Sequence, residues 1–133
     1  MSPRPPQRPP VSDTELAVLK ALWAHGPGTV RDVERRLPKR RRKLAYNTIL
    51  TLLSRLRAKG YVAADRRETA HVFRATVTRD EVVGHGLSLL ADRMCDGLAS
   101  PLVHALVKER RLSSAEIAAL RRLLDELDQE HER

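Results

Sequence analysis

A single cysteine, Cys95, occurs among the 133 residues. No intrachain disulfide can form, and a Cys-rich metal site is excluded. Aromatics are nearly as scarce: Trp23, Tyr46, Tyr61 and Phe73 make up 3% of the chain. Any core must therefore be aliphatic, and there is little material for a platform of rings that stacks unpaired bases. No stretch approaches the roughly 18 consecutive apolar residues of a membrane span. The opening Met1-Ser2-Pro3-Arg4 has no apolar segment of the kind an export signal needs. A cytoplasmic protein that makes no membrane contact is expected. Catalytic signatures are missing too. There is no Gly-x-x-x-x-Gly-Lys-Ser/Thr phosphate loop and no His-Glu-x-x-His zinc helix. Gly84-x-Gly86 lacks a third glycine and a preceding strand, and reads as a helix-packing spot. Arg121–Asp125 and Arg122–Glu126 stand at i,i+4 and read as surface pairs, not as an acid/base couple. Cys95 could join His85 and His104 in a metal or redox site, or bridge two copies. A thiol serving as a small apolar side chain is the simpler reading. Neither enzyme activity nor a cofactor or metal is expected.

What the sequence does have is positive charge, unevenly placed. Lys and Arg number 25 against 17 Asp and Glu, a net +8 with a pI near 10.5. Residues 1–77 carry 17 of the basic and 6 of the acidic side chains, whereas 78–133 carry 8 and 11. All four aromatics also lie in the first part. A basic half points to a polyanion, most often nucleic acid. The second part is aliphatic, mildly acidic and too short to bury a good core alone. Its apolar face is expected to close against a second copy of the chain.

Three segments are expected. Five of the eight prolines fall in residues 3–10, so 1–11 reads as a disordered Pro-rich tail. Its Arg4 and Arg8 either touch phosphate or are solvated. Residues 12–77 open on a capping box, Ser12-Asp13-Thr14-Glu15, followed by Leu16, Leu19, Leu22 and Trp23 at helical spacing. Gly26-Pro27 stops this helix. Thr29 opens a short second helix that Pro38 ends, and a basic loop, 39–43, follows. A third helix runs from about Ala45 to Lys59, with Ile49, Leu52, Leu53 and Leu56 inward and Gly60 as its left-handed cap. Residues 61–66 and 70–75 then read as two strands around Arg67-Glu68-Thr69. Residues 78–133 hold three more helices, opened by Thr78, by Ser100-Pro101 and by Ser113.

Helix, helix, helix, hairpin is the order of a winged helix-turn-helix. The fold class expected is mainly α with a small β-hairpin wing, completed by a C-terminal helical dimerisation segment. The third helix would enter the major groove, where base edges carry a readable pattern. Its outer face offers Asn47, Thr48, Thr51 and Arg55, short polar side chains suited to close approach. Asn47 can pair with adenine, Thr48 and Thr51 can pack on thymine methyls, and Arg55 sits far enough along to meet phosphate. Tyr46 fits either core or contact. Arg40, Arg41, Arg42 and Lys43 would hold the backbone, as would Thr29 through the orphan N–H groups of the helix it caps. Arg66 and Arg67 at the hairpin tip would meet flanking phosphates or the minor groove. For dimerisation the candidates are Leu87, Leu90, Leu102, Val103, Leu106, Ile117, Leu120, Leu124 and Leu127. The partners expected are double-stranded DNA and a second copy. The alternative is a non-specific architectural DNA- or RNA-binding protein.

The run Ala45-Tyr46-Asn47-Thr48-Ile49-Leu50-Thr51-Leu52-Leu53-Ser54-Arg55-Leu56-Arg57-Ala58-Lys59-Gly60 resembles the recognition helix of the penicillinase repressor (BlaI/MecI/CopY) family. Ser12-x-x-Glu15 with Leu19-x-x-Leu22-Trp23 and Gly26-Pro27 resembles that family's first helix, and Leu112-Ser113-x-x-Glu116-Ile117-x-x-Leu120 its last. The similarity covers about residues 11–128. It implies a homodimeric repressor, a palindromic operator and, in many relatives, TACA and TGTA half-site cores. Relatives released by a sensor-protease carry an Asn-Phe bond where Ala105-Leu106 aligns here. Copper-responsive relatives carry a Cys-rich C-terminal motif that is absent from these residues. Position 50 is Leu where many relatives have Lys, Arg or Met, which implies a relaxed base preference there.

Overall fold

Three side chain-to-backbone loops start three of the helices. Ser12, Thr29 and Ser113 each accept the N–H of the residue three on, and Glu15, Asp32 and Glu116 reach back to the cap's own N–H. The elements of this computed structural model, which describes residues 8–41, 44–110 and 112–132, are α1 (Asp13–His25), α2 (Val30–Arg36), a 3-10 turn (Lys39–Arg41), α3 (Tyr46–Lys59), β1 (Val62–Arg67), β2 (Ala70–Ala75), α4 (Arg79–Met94), α5 (Ser100–Glu109) and α6 (Ser114–His131). They fall into two compact units that divide within α4, between Gly86 and Leu87.

In the first unit, α1, α2 and α3 pack around an aliphatic core. Leu19, Val33, Ile49, Leu53 and Leu56 are fully enclosed, and Tyr61, Val62 and Phe73 close it from the wing side. Burying each such leucine contributes about 1.5–3 kcal/mol. Trp23 lies at the edge, where its indole N–H donates to the Val77 carbonyl at 2.9 Å. That bond ties α1 to the segment leaving the hairpin.

β1 and β2 pair antiparallel, from Val62 opposite Ala75 to Arg67 opposite Ala70. The turn is therefore only Glu68-Thr69, one residue shorter than expected. Glu68 adopts φ 51°, a left-handed conformation that two-residue hairpins demand and glycine meets most cheaply. The hairpin is anchored at its middle. Gly28 and Phe73 exchange two backbone hydrogen bonds, at 2.9 and 2.8 Å. A Cβ at Gly28 would stand 2.8 Å from the Arg36 guanidinium and 3.0 Å from the Asp32 Cβ, so a side chain there would have to displace the guanidinium. Arg36 in turn donates to the carbonyls of Gly26 and Pro27, holding the α1–α2 turn.

The expected tail differs over its last residues. Arg8 donates through Nε to the Gly60 carbonyl at 3.0 Å, Tyr61 donates its hydroxyl to Pro9 at 2.6 Å, and Lys59 donates to Pro10 at 2.9 Å. Residues 8–11 thus form a strap across the C-terminal end of α3. Burial pushes the Tyr61 phenol above its ordinary pKa, as expected for a hydroxyl whose ring belongs to the core.

The second unit contains the end of α4, α5 and α6. Asp96 at φ 52° and Gly97 at φ 81° end α4, and the Gly97 N–H returns to the Ala91 carbonyl. The cap of α5 is Ala99, not Ser100 as expected, and Ser100 and Pro101 both lie inside the helix. Proline without an N–H fits either of the first two positions, so spacing alone does not separate them. Gly84 and Gly86 are open to solvent, with nothing within 4 Å of a Cβ built on either. The helix-packing reading of these glycines is therefore not supported. Among the described residues of this unit, Ala91 alone is buried.

Candidate nucleic-acid interface

The outer face of α3 follows from its inner one. Ile49, Leu52, Leu53 and Leu56 point to the core, so the 3.6-residue period turns Asn47, Thr51 and Ser54 outward. Tyr46, Asn47, Thr48, Thr51 and Arg55 are all exposed. The Thr51 hydroxyl donates to the Asn47 carbonyl one turn back at 2.9 Å. Tyr46 belongs to this exposed face and not to the core. The Arg31 guanidinium on α2 stands 5.2 Å from its ring centroid, within cation–π range. This contact links α2 to the first residue of α3. The N-cap of α3 is Ala45, which supplies no side-chain cap, and no acidic residue occupies the first turn.

The basic residues before α3 are partly placed. Arg40 is exposed and Arg41 half-buried in the 3-10 turn, where the Arg41 N–H bonds to the Pro38 carbonyl. Arg42 and Lys43 lie outside the described residues. At the hairpin tip Arg66 and Arg67 are exposed, opposite His71 and Ala70. Lower on the wing, Arg74 is paired with Asp65 at 3.1 Å.

Thr29 requires a correction. Its hydroxyl already accepts the Asp32 N–H, and its own N–H donates to the Asp32 carboxylate at 3.0 Å. The hydrogen bond from the Thr29 backbone, and the one with its hydroxyl, hold the Asp32 carboxyl below its usual pKa. The box uses the Thr29 and Asp32 N–H groups and brings a carboxylate to the helix start that was expected to offer its N–H groups to phosphate. Sequence reasoning also passed over Arg31 and Arg35, on the outward side of α2. The signal was their i,i+4 spacing on a helix read only for its apolar residues. Leu50, where the sequence departs from relatives, is exposed on α3 as well.

From residue 11 to 126 the sequence matches the family profile described as penicillinase repressor. The chain belongs to the penicillinase repressor family. It is 38% identical over 125 residues to the transcriptional regulator BlaI of Mycobacterium tuberculosis, covering 91% of this chain and 87% of that one. It is 26% identical over 118 residues to the penicillinase repressor of Bacillus licheniformis, covering 89% and 91%. Among solved structures it is similar to a MarR family protein from Bacillus stearothermophilus, with a TM-score of 0.48 and 23% identity over 93% of this chain and 77% of that one. As a member of the penicillinase repressor family, the protein is a winged-helix, DNA-binding regulator of transcription and not an enzyme.

The expected dimerisation residues of this penicillinase repressor relative are almost all uncovered. Leu87, Leu90, Val103, Leu106, Ile117, Leu120, Leu124 and Leu127 are exposed, Leu124 at 65%, and Leu102 is half-buried. Among the described residues, no group of three or more His, Cys, Asp or Glu side chains could hold a metal ion. Nor is any described helix long and apolar enough to cross a membrane.

Proposed function

We propose that the protein is a cytoplasmic, homodimeric repressor that occupies a palindromic operator and blocks a promoter by its bulk. Residues 12–77 form the DNA-reading part and 78–133 the dimerisation part. Each α3 lies in a major groove, with Asn47, Thr48 and Thr51 at base edges and Tyr46 and Arg55 on the sugar–phosphate backbone. Arg40, Arg41, Arg42 and Lys43 grip phosphates before α3, and Arg66 and Arg67 grip beyond the hairpin tip.

The observation that carries this reading is the outer face of α3. It is exposed and uncharged up to Arg55, and the Arg31 guanidinium of α2 stands over Tyr46 at its start. A helix face meant only for water would carry Lys and Glu. The dimer is supported by the second unit, whose leucines stay exposed in one chain while only Ala91 is buried among its described residues. Exposed apolar side chains clustered in this way support self-association.

Fluorescence anisotropy tests the proposal. Duplex tiles from upstream of the protein's own gene are compared with a shuffled duplex at two salt concentrations. Saturable binding to one palindromic tile, stronger than to the shuffle by roughly a hundredfold, is the expected result. Equal binding to both, collapsing together with salt, would replace the repressor by a non-specific architectural protein.

A further inference from the structure

We propose that Leu50 is a specificity-determining residue, which selects thymine in the operator half-site by packing on its 5-methyl group. The proposal rests on the function above and names one feature of the sequence it reads.

Leu50 is not needed by the core. The four core positions of α3 are at most 5% exposed, whereas Leu50 is 38% exposed. On the helix surface it neighbours Tyr46 at i−4 and Asn47 at i−3. It therefore borders the face that would meet base edges. Beside it, Thr51 commits its hydroxyl proton to the Asn47 carbonyl at 2.9 Å. What Leu50 and Thr51 add next to Asn47 is thus chiefly methyl surface.

A leucine side chain neither donates nor accepts a hydrogen bond. Of the groups displayed in the major groove, only the thymine 5-methyl rewards apolar contact. Against a guanine, adenine or cytosine edge, the same side chain would strip water from a polar group without replacing its bond. Leucine at this position therefore sharpens the base preference, contrary to the relaxation expected from the departure from relatives.

The test uses the full chain and the palindromic tile that binds in the anisotropy assay. Each thymine of the half-site is replaced in turn by deoxyuridine, which removes the methyl alone. At one thymine, wild-type affinity should fall roughly fourfold with one half-site changed and roughly fifteenfold with both, from about 0.8 kcal/mol per buried methyl. Leu50→Ala should melt like wild type, bind the thymine operator more weakly by a similar factor, and no longer distinguish thymine from uracil there. Leu50→Met should keep most of the discrimination. If wild type ignores every such replacement yet prefers the tile to the shuffle, the Leu50 proposal is overturned and the repressor stands. If a methyl effect persists in full in Leu50→Ala, it belongs to another side chain such as Thr48, and the proposal is again overturned. Equal affinity for tile and shuffle overturns both.

Discussion

Replacing Lys59 by alanine strands a carboxylate inside the first unit. Glu15 is 3% exposed, and its Oε1 accepts the Lys59 ammonium at 2.8 Å and the Ser12 N–H at 3.3 Å. Its Oε2 is buried without a hydrogen-bond partner among the described residues. Removing one member of a fully buried pair costs about 3–5 kcal/mol, while an exposed pair contributes about 0–1. The Lys59 side chain is 25% exposed, so the expected loss lies between, at about 2 kcal/mol or roughly 10 °C in Tm for a domain of this size. The loss has a pH signature. Burial pushes the Glu15 carboxyl up, but hydrogen bonds from Lys59 and Ser12 outweigh it and leave the pKa below its usual value. A carboxyl lowered by folding contributes stability above its unfolded pKa, and that contribution is lost as pH falls through the folded value. Without Lys59 the burial cost is less opposed, the carboxyl protonates at higher pH, and the stranded charge disappears on acidification. The gap between wild type and Lys59→Ala should therefore be wide near neutral pH and narrow toward pH 4. Thermal melts of wild type, Lys59→Ala, Glu15→Gln and the double variant at both pH values measure it. With Gln at position 15, Lys59→Ala should cost less than about 1 kcal/mol. An equal cost in both backgrounds, or one indifferent to pH, would refute the reasoning.

Asn47→Ala should lose operator affinity by about 1–3 kcal/mol while binding shuffled DNA as before. Equal weakening on both duplexes would remove Asn47 from base reading. Arg41→Ala should weaken every duplex alike and flatten the salt dependence by about one unit, measured by anisotropy across a salt series. Leu120→Asp should sediment as a monomer and lose the operator, because a dimer needs both half-sites for its affinity. A variant that stays dimeric would move the interface away from α6.

Much of the first unit was legible because local chemistry decides it. Ser12 and Thr29 cap helices through residues three positions on, as Ser113 does in the second unit, and Gly60 takes the left-handed cap with φ 89°. The apolar spacing of α3 was enough to separate Ile49, Leu52, Leu53 and Leu56 from the outer face. What escaped depends on distant backbone groups. Nothing near residues 8–11 announces that Gly60, Tyr61 and Lys59 will bond to them from about fifty residues away. Thr29 shows a different failure. Thr29 is readable as a cap, but the return bond from its own N–H to the Asp32 carboxylate, which brings a negative charge to the helix start, is not. Arg31 was invisible as a partner of Tyr46 because the stack depends on how α2 crosses α3.

The exchange of hydrogen bonds between Gly28 and Phe73 makes the wing a cantilever. It is clamped where Phe73 faces Ala64 and free at the Arg67–Ala70 end, three residue pairs or about 10 Å further out. A beam held at one level bends most at its tip. On the proposed operator, the hairpin arginines would therefore follow a duplex of variable groove width, while α3, seated in the core, would keep its register. Base pairs beneath the wing should accordingly tolerate change better than those beneath the helix.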